Sequence, residues 1–421
     1  MRKSTVAGVV MLGAVSAGVA NAQSFYSLAP YLTPQEKSKV WSVAGSVRGF
    51  YDDNYLTVPD GPGKRESFGI EIQPSVSLNM TGESTYIGAR VDYSYQWFED
   101  DRDPDYQQGV LANITVAHSF SEQFKVTLED SFRWSQEPDL TSGATAVPIR
   151  TDGNNLSNRA SVDATYIFSD LLQLGGGYAF SYYNFDDAGG PGSRSGLLDR
   201  NEHQITASLG YVMSTETTFS VGYIYNLADY TSSDGIAPGV PSSIRDSMSH
   251  IGYVGWDQRF ANQFRLNIRA GIQSTTYDNT VPEQDATNPY LDASVSYQYN
   301  PASVVTVGAR HTRAATDVVG AVPGTPTLDQ EVTTLYVDLR HAITSSITLG
   351  AVGTAQFGEY ESGSLNSVTE DLYSVSLSVA YRFNPFIAVE AGYSYSVLES
   401  DNPVPRDYDR NRTYIGVRGI F

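Results

Sequence analysis

A closed, all-β transmembrane barrel of about eighteen antiparallel, up-and-down strands is the fold this sequence predicts, with sixteen strands as the alternative count. Three observations predict it. From Val40 onward, apolar and polar residues alternate with a period of two. The connections between these runs are by turns very short and long, as in outer-membrane barrels. The chain also opens on an export leader and closes its last alternating run on an aromatic residue, Phe421.

The leader comes first. MRKSTVAGVVMLGAVSAGVANAQ has a basic start at Arg2 and Lys3, an apolar core from Val6 to Ala20, and a small-residue cleavage site at Ala20-Asn21-Ala22. The expected division is a signal peptide over 1–22, a periplasmic N-terminal segment over 23–39 and the barrel over 40–421. No other stretch approaches the roughly 20 apolar residues of a spanning helix. The chain has no cysteine, so no disulfide staples it. Its formal charge is −20; without Arg2 and Lys3, 25 basic residues stand against 47 acidic ones, or −22. That balance argues against nucleic acid as a partner. No Pro/Ser-rich linker or change of composition divides the 421 residues, which fits one large sheet better than several domains.

The alternation places the strands near 40–54, 66–80, 85–98, 106–119, 124–135, 155–168, 172–185, 201–213, 218–230, 246–260, 264–277, 288–299, 303–314, 329–342, 347–360, 369–383, 387–399 and 409–421. In TYIGARVDYSYQWF, one face carries Ile87, Ala89, Val91, Tyr93, Tyr95 and Trp97, and the other Arg90, Asp92, Ser94 and Gln96. FRLNIRAGIQ and LYSVSLSVAYRF repeat the pattern. The polar face holds small residues and paired charges, as a wet lumen would. Aromatic residues cluster at the ends of the apolar face, where membrane interfaces place them. Three places resist. IGYVGWDQRF changes phase and suggests a bulge. Pro74 removes a ladder hydrogen bond inside the second run. Asp130 falls on the apolar face, which predicts a position near the rim or a shifted register.

The short turns form a weak repeat of FSEQF, FSDLL, FANQF and FNPF, with TGES, STET, NPAS and TSS in the same role. Between them lie long polar loops such as FDDAGGPGSRSG and SSDGIAPGVPSS. The ending, TYIGVRGIF, resembles the C-terminal assembly signal of bacterial outer-membrane proteins. The resemblance rests on Tyr414, Gly416 and Phe421 and implies the barrel-assembly machinery as a partner. Gly419 stands where that signal usually has a hydrophobic residue.

VRGFYDDNYL, Val47 to Leu56, resembles the start of the beta-barrel porin 2 family, whose first strand ends in an Asp/Asn-rich turn. The Tyr-rich hairpins with F-[SN]-x turns are similar to that family too. The resemblance implies a porin-like protein of the bacterial outer membrane. Some members are similar to barrels of exopolysaccharide export operons.

A barrel of this width leaves an aqueous channel. The alternation turns Arg48, Arg90, Arg133, Arg265, Arg269, Arg310, Arg340, Arg412 and Arg418 inward as candidate selectivity residues, with Lys125, Arg159 and Arg382. Inward acids, among them Asp52, Glu71, Asp92, Asp292 and Glu390, nearly balance them. Mutual neutralisation is the plain reading for most. Arg48, Arg412 and Arg418 at the closing seam are the best candidates for guiding an anionic solute. The long connection 137–154 reads either as an exposed loop or as a constriction folded into the pore. Acidic runs such as Glu99-Asp100-Asp101 read as a solvated rim that divalent ions could bridge to lipopolysaccharide. Five histidines have no metal-ligand spacing, and no nucleophile, zinc or phosphate-loop motif occurs. His203 beside Glu202 is the single rim candidate for catalysis. The expectation is therefore a non-enzymatic channel without cofactor or metal, passing small hydrophilic solutes by passive diffusion through water. An exopolysaccharide conduit is the second reading and an adhesin or rim-site enzyme the third. The expected surroundings are outer-membrane lipid and lipopolysaccharide.

Overall fold

Eighteen strands close into one antiparallel sheet, each bonded to its chain neighbours, and the last strand returns to the first. The computed structural model describes residues 39–59, 61–100, 104–136, 155–260, 263–320 and 325–421. The expected leader over 1–22, nearly all of the 23–39 segment, and the 137–154 connection lie outside them.

The strands are β1 (Trp41–Asp52), β2 (Ser67–Thr81), β3 (Thr85–Phe98), β4 (Tyr106–Ser119), β5 (Phe124–Ser135), β6 (Asn155–Ile167), β7 (Leu172–Phe185), β8 (Arg200–Val212) and β9 (Thr217–Tyr230). After the small hairpin β10 (Gly235–Ala237) and β11 (Val240–Pro241) come β12 (Ser247–Phe260), β13 (Phe264–Tyr277), β14 (Gln284–Asn300), β15 (Ser303–Ala314), β16 (Asp329–Ala342), β17 (Ile347–Glu361), β18 (Thr369–Arg382), β19 (Ile387–Ser400) and β20 (Tyr408–Ile420). Only β14 departs by more than two residues from the alternation, starting at Gln284 rather than near 288.

Closure follows from β1. It pairs with β2 on one edge and with β20 on the other, from Ala44↔Ile420 to Asp52↔Arg412. Phe421 finishes the seam by exchanging backbone hydrogen bonds with Val43 at 2.7 and 3.1 Å. A closed sheet leaves no strand edge unpaired, which a bilayer requires. The outward face is apolar and open to lipid. Val47, Ile72, Val91, Leu128, Val254, Val307 and Leu377 are all exposed.

The three irregular places resolve as follows. β12 runs in unbroken register with β9 and β13, so IGYVGWDQRF holds no bulge. Its phase change is instead the turning inward of two apolar residues, Ile251 and Tyr253, both buried. Tyr253 lies over Gly222, where an added Cβ would stand 2.2 Å from the ring. The register shift falls between Tyr297 and Asn300 of β14, at a short turn. Pro74 pairs with Gly45 on its β1 side, while the β3 ladder passes from Ile72↔Tyr95 to Ser75↔Asp92 around it. Asp130 points outward midway along β5, not at the rim, and its register there is regular.

Candidate functional site

Period-two geometry sends every second residue inward, and the pairing carries that face round the ring. All nine candidate arginines project to this inner side. At the seam they do not stand alone. Arg48 is 2% exposed and donates from Nε to Glu390 at 2.6 Å, with Glu71 at 3.6 Å. Arg412 lies 3.6 Å from Glu71 and 3.9 Å from Asp52. Asp52 is wholly buried and also accepts from Arg410 Nε at 3.0 and 3.1 Å. The guanidiniums of Arg48 and Arg412 lie 4.9 and 4.4 Å from the ring centres of Tyr414 and Phe50. Three arginines and three carboxylates thus form one interleaved, charge-balanced network across β19, β20, β1 and β2. Gly416 makes room for it, since a Cβ there would meet the Val47 carbonyl at 2.4 Å and Arg48 Cγ at 2.6 Å. Arg418 is buried one step further along β20.

The remaining candidates are spread over the wall. Arg90 forks onto Asp92 two residues along its own strand, at 2.6 and 2.7 Å. Arg269 and Arg310 flank Asp292 in one row across β13, β14 and β15. Arg265 is exposed near the short-turn end. Arg133 stands across from Ser157 of β6 and Arg340 across from Gly350 of β17. The structure therefore brings Arg48 and Arg412 together at the seam, sets Arg269 and Arg310 on either side of Asp292, and spreads the rest over the wall.

The long-loop end carries what the sequence does not announce. The β7–β8 loop includes a one-turn helix, Arg194–Leu198, capped by Ser193. The β9–β12 loop carries the β10–β11 hairpin and a 3-10 turn, Ser242–Arg245. Leu197, Leu198 and Ile236 from these loops, with Val240, Ile244 and Val319 against them, pack onto the inward-facing Tyr183, Phe185, Ala314 and Val332. Because β7 and β16 lie seven strands apart in the ring of eighteen, the packed loops reach across part of the entrance.

Arg245 fastens this bridge. It is 1% exposed and gives its hydrogen bonds to backbone carbonyls: Nη1 to Leu197 and Thr316 at 3.1 and 2.7 Å, Nε and Nη2 to Thr327 at 3.1 and 2.9 Å, and Nη2 to Val318. Burial pulls its pKa below the ordinary guanidinium value. A second tie is ionic. Asp317, between β15 and β16, receives Arg406 at 2.9 Å and Arg194 at 3.5 Å, and Arg406 also reaches Glu370 at 2.8 Å. Burial works against the Arg406 charge, but Asp317 and Glu370 outweigh it and raise its pKa. Asp234 joins the first two loops, accepting from Gly189 N–H at 2.7 Å and Ser193 Oγ at 2.8 Å. These contacts hold its carboxyl below the usual range, the Gly189 N–H most of all.

His203 and Glu202 take opposite faces of β8. His203 meets Tyr178 on the outer surface at 2.8 Å, while Glu202 turns inward to Arg200. Among the described residues no group of three or more acidic or histidine side chains could hold a metal ion.

A closed eighteen-stranded barrel, apolar outside and polar within, defines an outer-membrane channel protein. The chain belongs to the beta-barrel porin 2 family: the model described as "Putative beta-barrel porin 2" matches residues 42–421. No curated protein matches it. Solved structures that it resembles include the outer membrane protein OpdK from Pseudomonas aeruginosa, at 10% identity, 90% of this chain, 99% of that chain and a TM-score of 0.46. A BenF-like porin from Pseudomonas fluorescens shows 13% identity, 90% and 99% coverage, and a TM-score of 0.45. OccAB4 from Acinetobacter baumannii shows 11%, 92%, 100% and 0.45.

Proposed function

We propose that this porin-like channel passes small hydrophilic solutes by passive diffusion, and that its bridged outer loops set the size limit. The observation that carries the reading is the combination of a polar inner wall on a wide closed barrel with loops packed across one mouth. The seam arginines serve closure in this reading, because Arg48, Arg410 and Arg412 already face three carboxylates, Asp52, Glu71 and Glu390. Selectivity then falls to the arginines elsewhere on the wall, Arg90, Arg133, Arg265, Arg269, Arg310 and Arg340, against Asp92, Asp292 and the other inward acids. Export by the 1–22 leader and recognition of Tyr414, Gly416 and Phe421 by the barrel-assembly machinery complete the proposal, with lipopolysaccharide beside the acidic rim.

Liposome swelling tests it. Proteoliposomes holding the refolded barrel should swell in small neutral sugars and amino acids, at rates that fall steeply with solute size. Swelling no faster than empty liposomes, with a barrel shown to be folded, would contradict the proposal.

A further inference from the structure

The outward face of β5 carries a carboxylate that lipid cannot satisfy. Asp130 stands midway along its strand, with Phe124 toward one end and Trp134 toward the other. The other outward-facing charges among the described strands, such as Asp229, Glu331, Glu359, Asp371 and Glu399, sit at strand ends, where headgroups and water reach them. Among the described residues Asp130 has one side-chain partner, Asn158 of β6. The contacts are long: Nδ2 lies 3.2 and 3.4 Å from the two carboxylate oxygens and 3.5 Å from the Ser131 carbonyl. Acyl chains supply neither donors nor acceptors, so the remaining lone pairs and the Asn158 carboxamide oxygen face a medium that costs free energy to enter.

We propose that the face formed by β4, β5 and β6 around Asp130 is the contact surface for a second copy of this chain, related by a two-fold axis normal to the membrane. Asp130 and Asn158 touch, so they share one depth in the bilayer. A two-fold axis passing beside them sets each Asn158 opposite the other copy's Asp130. The pair is self-complementary, one residue offering N–H donors and the other carboxylate oxygens. Higher cyclic symmetry sets unlike faces together and leaves the carboxylate against apolar residues. The surroundings suit close approach. Ala160 stands directly across from Asp130 and Ala112 across from Phe132, while Val116 and Val162 flank Leu128. Ile114 and Leu128 are open on the same face.

The absence of cysteine makes the test direct. Ala160→Cys and, on a distant outward strand, Val337→Cys are introduced singly into the full chain. Each is expressed to the outer membrane and treated in isolated membranes with an oxidant and, separately, with a short flexible bis-maleimide. Ala160→Cys should yield a linked species of twice the chain mass, several-fold more than Val337→Cys. Asp130→Leu in the Ala160→Cys background should reduce it to the Val337→Cys level, and Asp130→Asn should retain it. Folding of every variant is checked by heat-modifiable gel migration. Equal linking at both positions, no linking in folded protein, linking to a species of another mass, or a dimer that survives Asp130→Leu would each overturn the proposal.

Discussion

Arg48 shows how a single side chain changes meaning once its neighbours are known. Read along β1 it is an inward cation; in the barrel it is buried between Glu390 and Glu71 and capped by Tyr414. Removing one partner of a buried ionic network leaves the other charges uncompensated, typically at about 3–5 kcal/mol. Arg48→Ala should therefore lower the temperature at which the folded, fast-migrating band converts to the unfolded one, while Arg265→Ala at the exposed wall should not. An equal effect of the two substitutions would remove the seam network from the account. Gly416→Ala should act in the same direction, because its Cβ would collide with the Val47 carbonyl, which is backbone and cannot move aside cheaply. The inward direction of these residues was legible from alternation alone. Their partners were not, because Glu390 and Arg48 are 342 residues apart and meet only when the ring closes. Arg410, which binds Asp52 most fully, carried no signal beyond its parity on the last strand.

At the scale of elements, strands and loops differ in how far sequence determines them. A strand in a bilayer must hide its backbone in a ladder and show lipid one face, so its limits and faces follow from period-two patterning. β14 was the exception, since Asp285 and Thr287 extend it above the apolar band with no alternation to mark them. The loop bridge had no such constraint. Arg245 sits in a Pro/Ser-rich stretch that reads as solvated loop, and the one hint was the spaced Ile236, Val240 and Ile244 in an otherwise polar segment. Arg245→Leu strands the carbonyls of Leu197, Thr316, Val318 and Thr327, each unmet acceptor costing about 1–3 kcal/mol if water stays out. The loops should then loosen while the barrel keeps its melting behaviour. Limited proteolysis should cut within 186–199 and 315–328 faster than in the parent chain. Asp234 adds a pH dependence. Its folded pKa is depressed, so its contribution is complete above the unfolded value of about 3.9 and is lost as pH falls through the lower folded value. Hydrogen exchange in 186–199, corrected for intrinsic rates, should rise below about pH 4, and Asp234→Asn should abolish that rise. Exchange that ignores pH in the parent chain would contradict the role given to Asp234.

For the whole molecule, closure, polarity and the entrance combine into one claim. The eighteen-strand ring is wide enough to hold water, its wall is polar, and its outer mouth is narrowed by loops anchored on walls six and seven strands apart. The fold and the family were readable from the chain, from alternation, turn asymmetry and VRGFYDDNYL. The narrowing was not, because four loops far apart in the sequence contribute to it. Single-channel recording in planar bilayers tests the claim most directly, with the parent protein and Arg245→Leu measured side by side under a salt gradient. The account predicts discrete, steady conductance for the parent and a larger one for Arg245→Leu, with reversal potentials that respond to Arg269→Ala and Arg310→Ala but not to Arg48→Ala. Folded protein that conducts in neither form would contradict it.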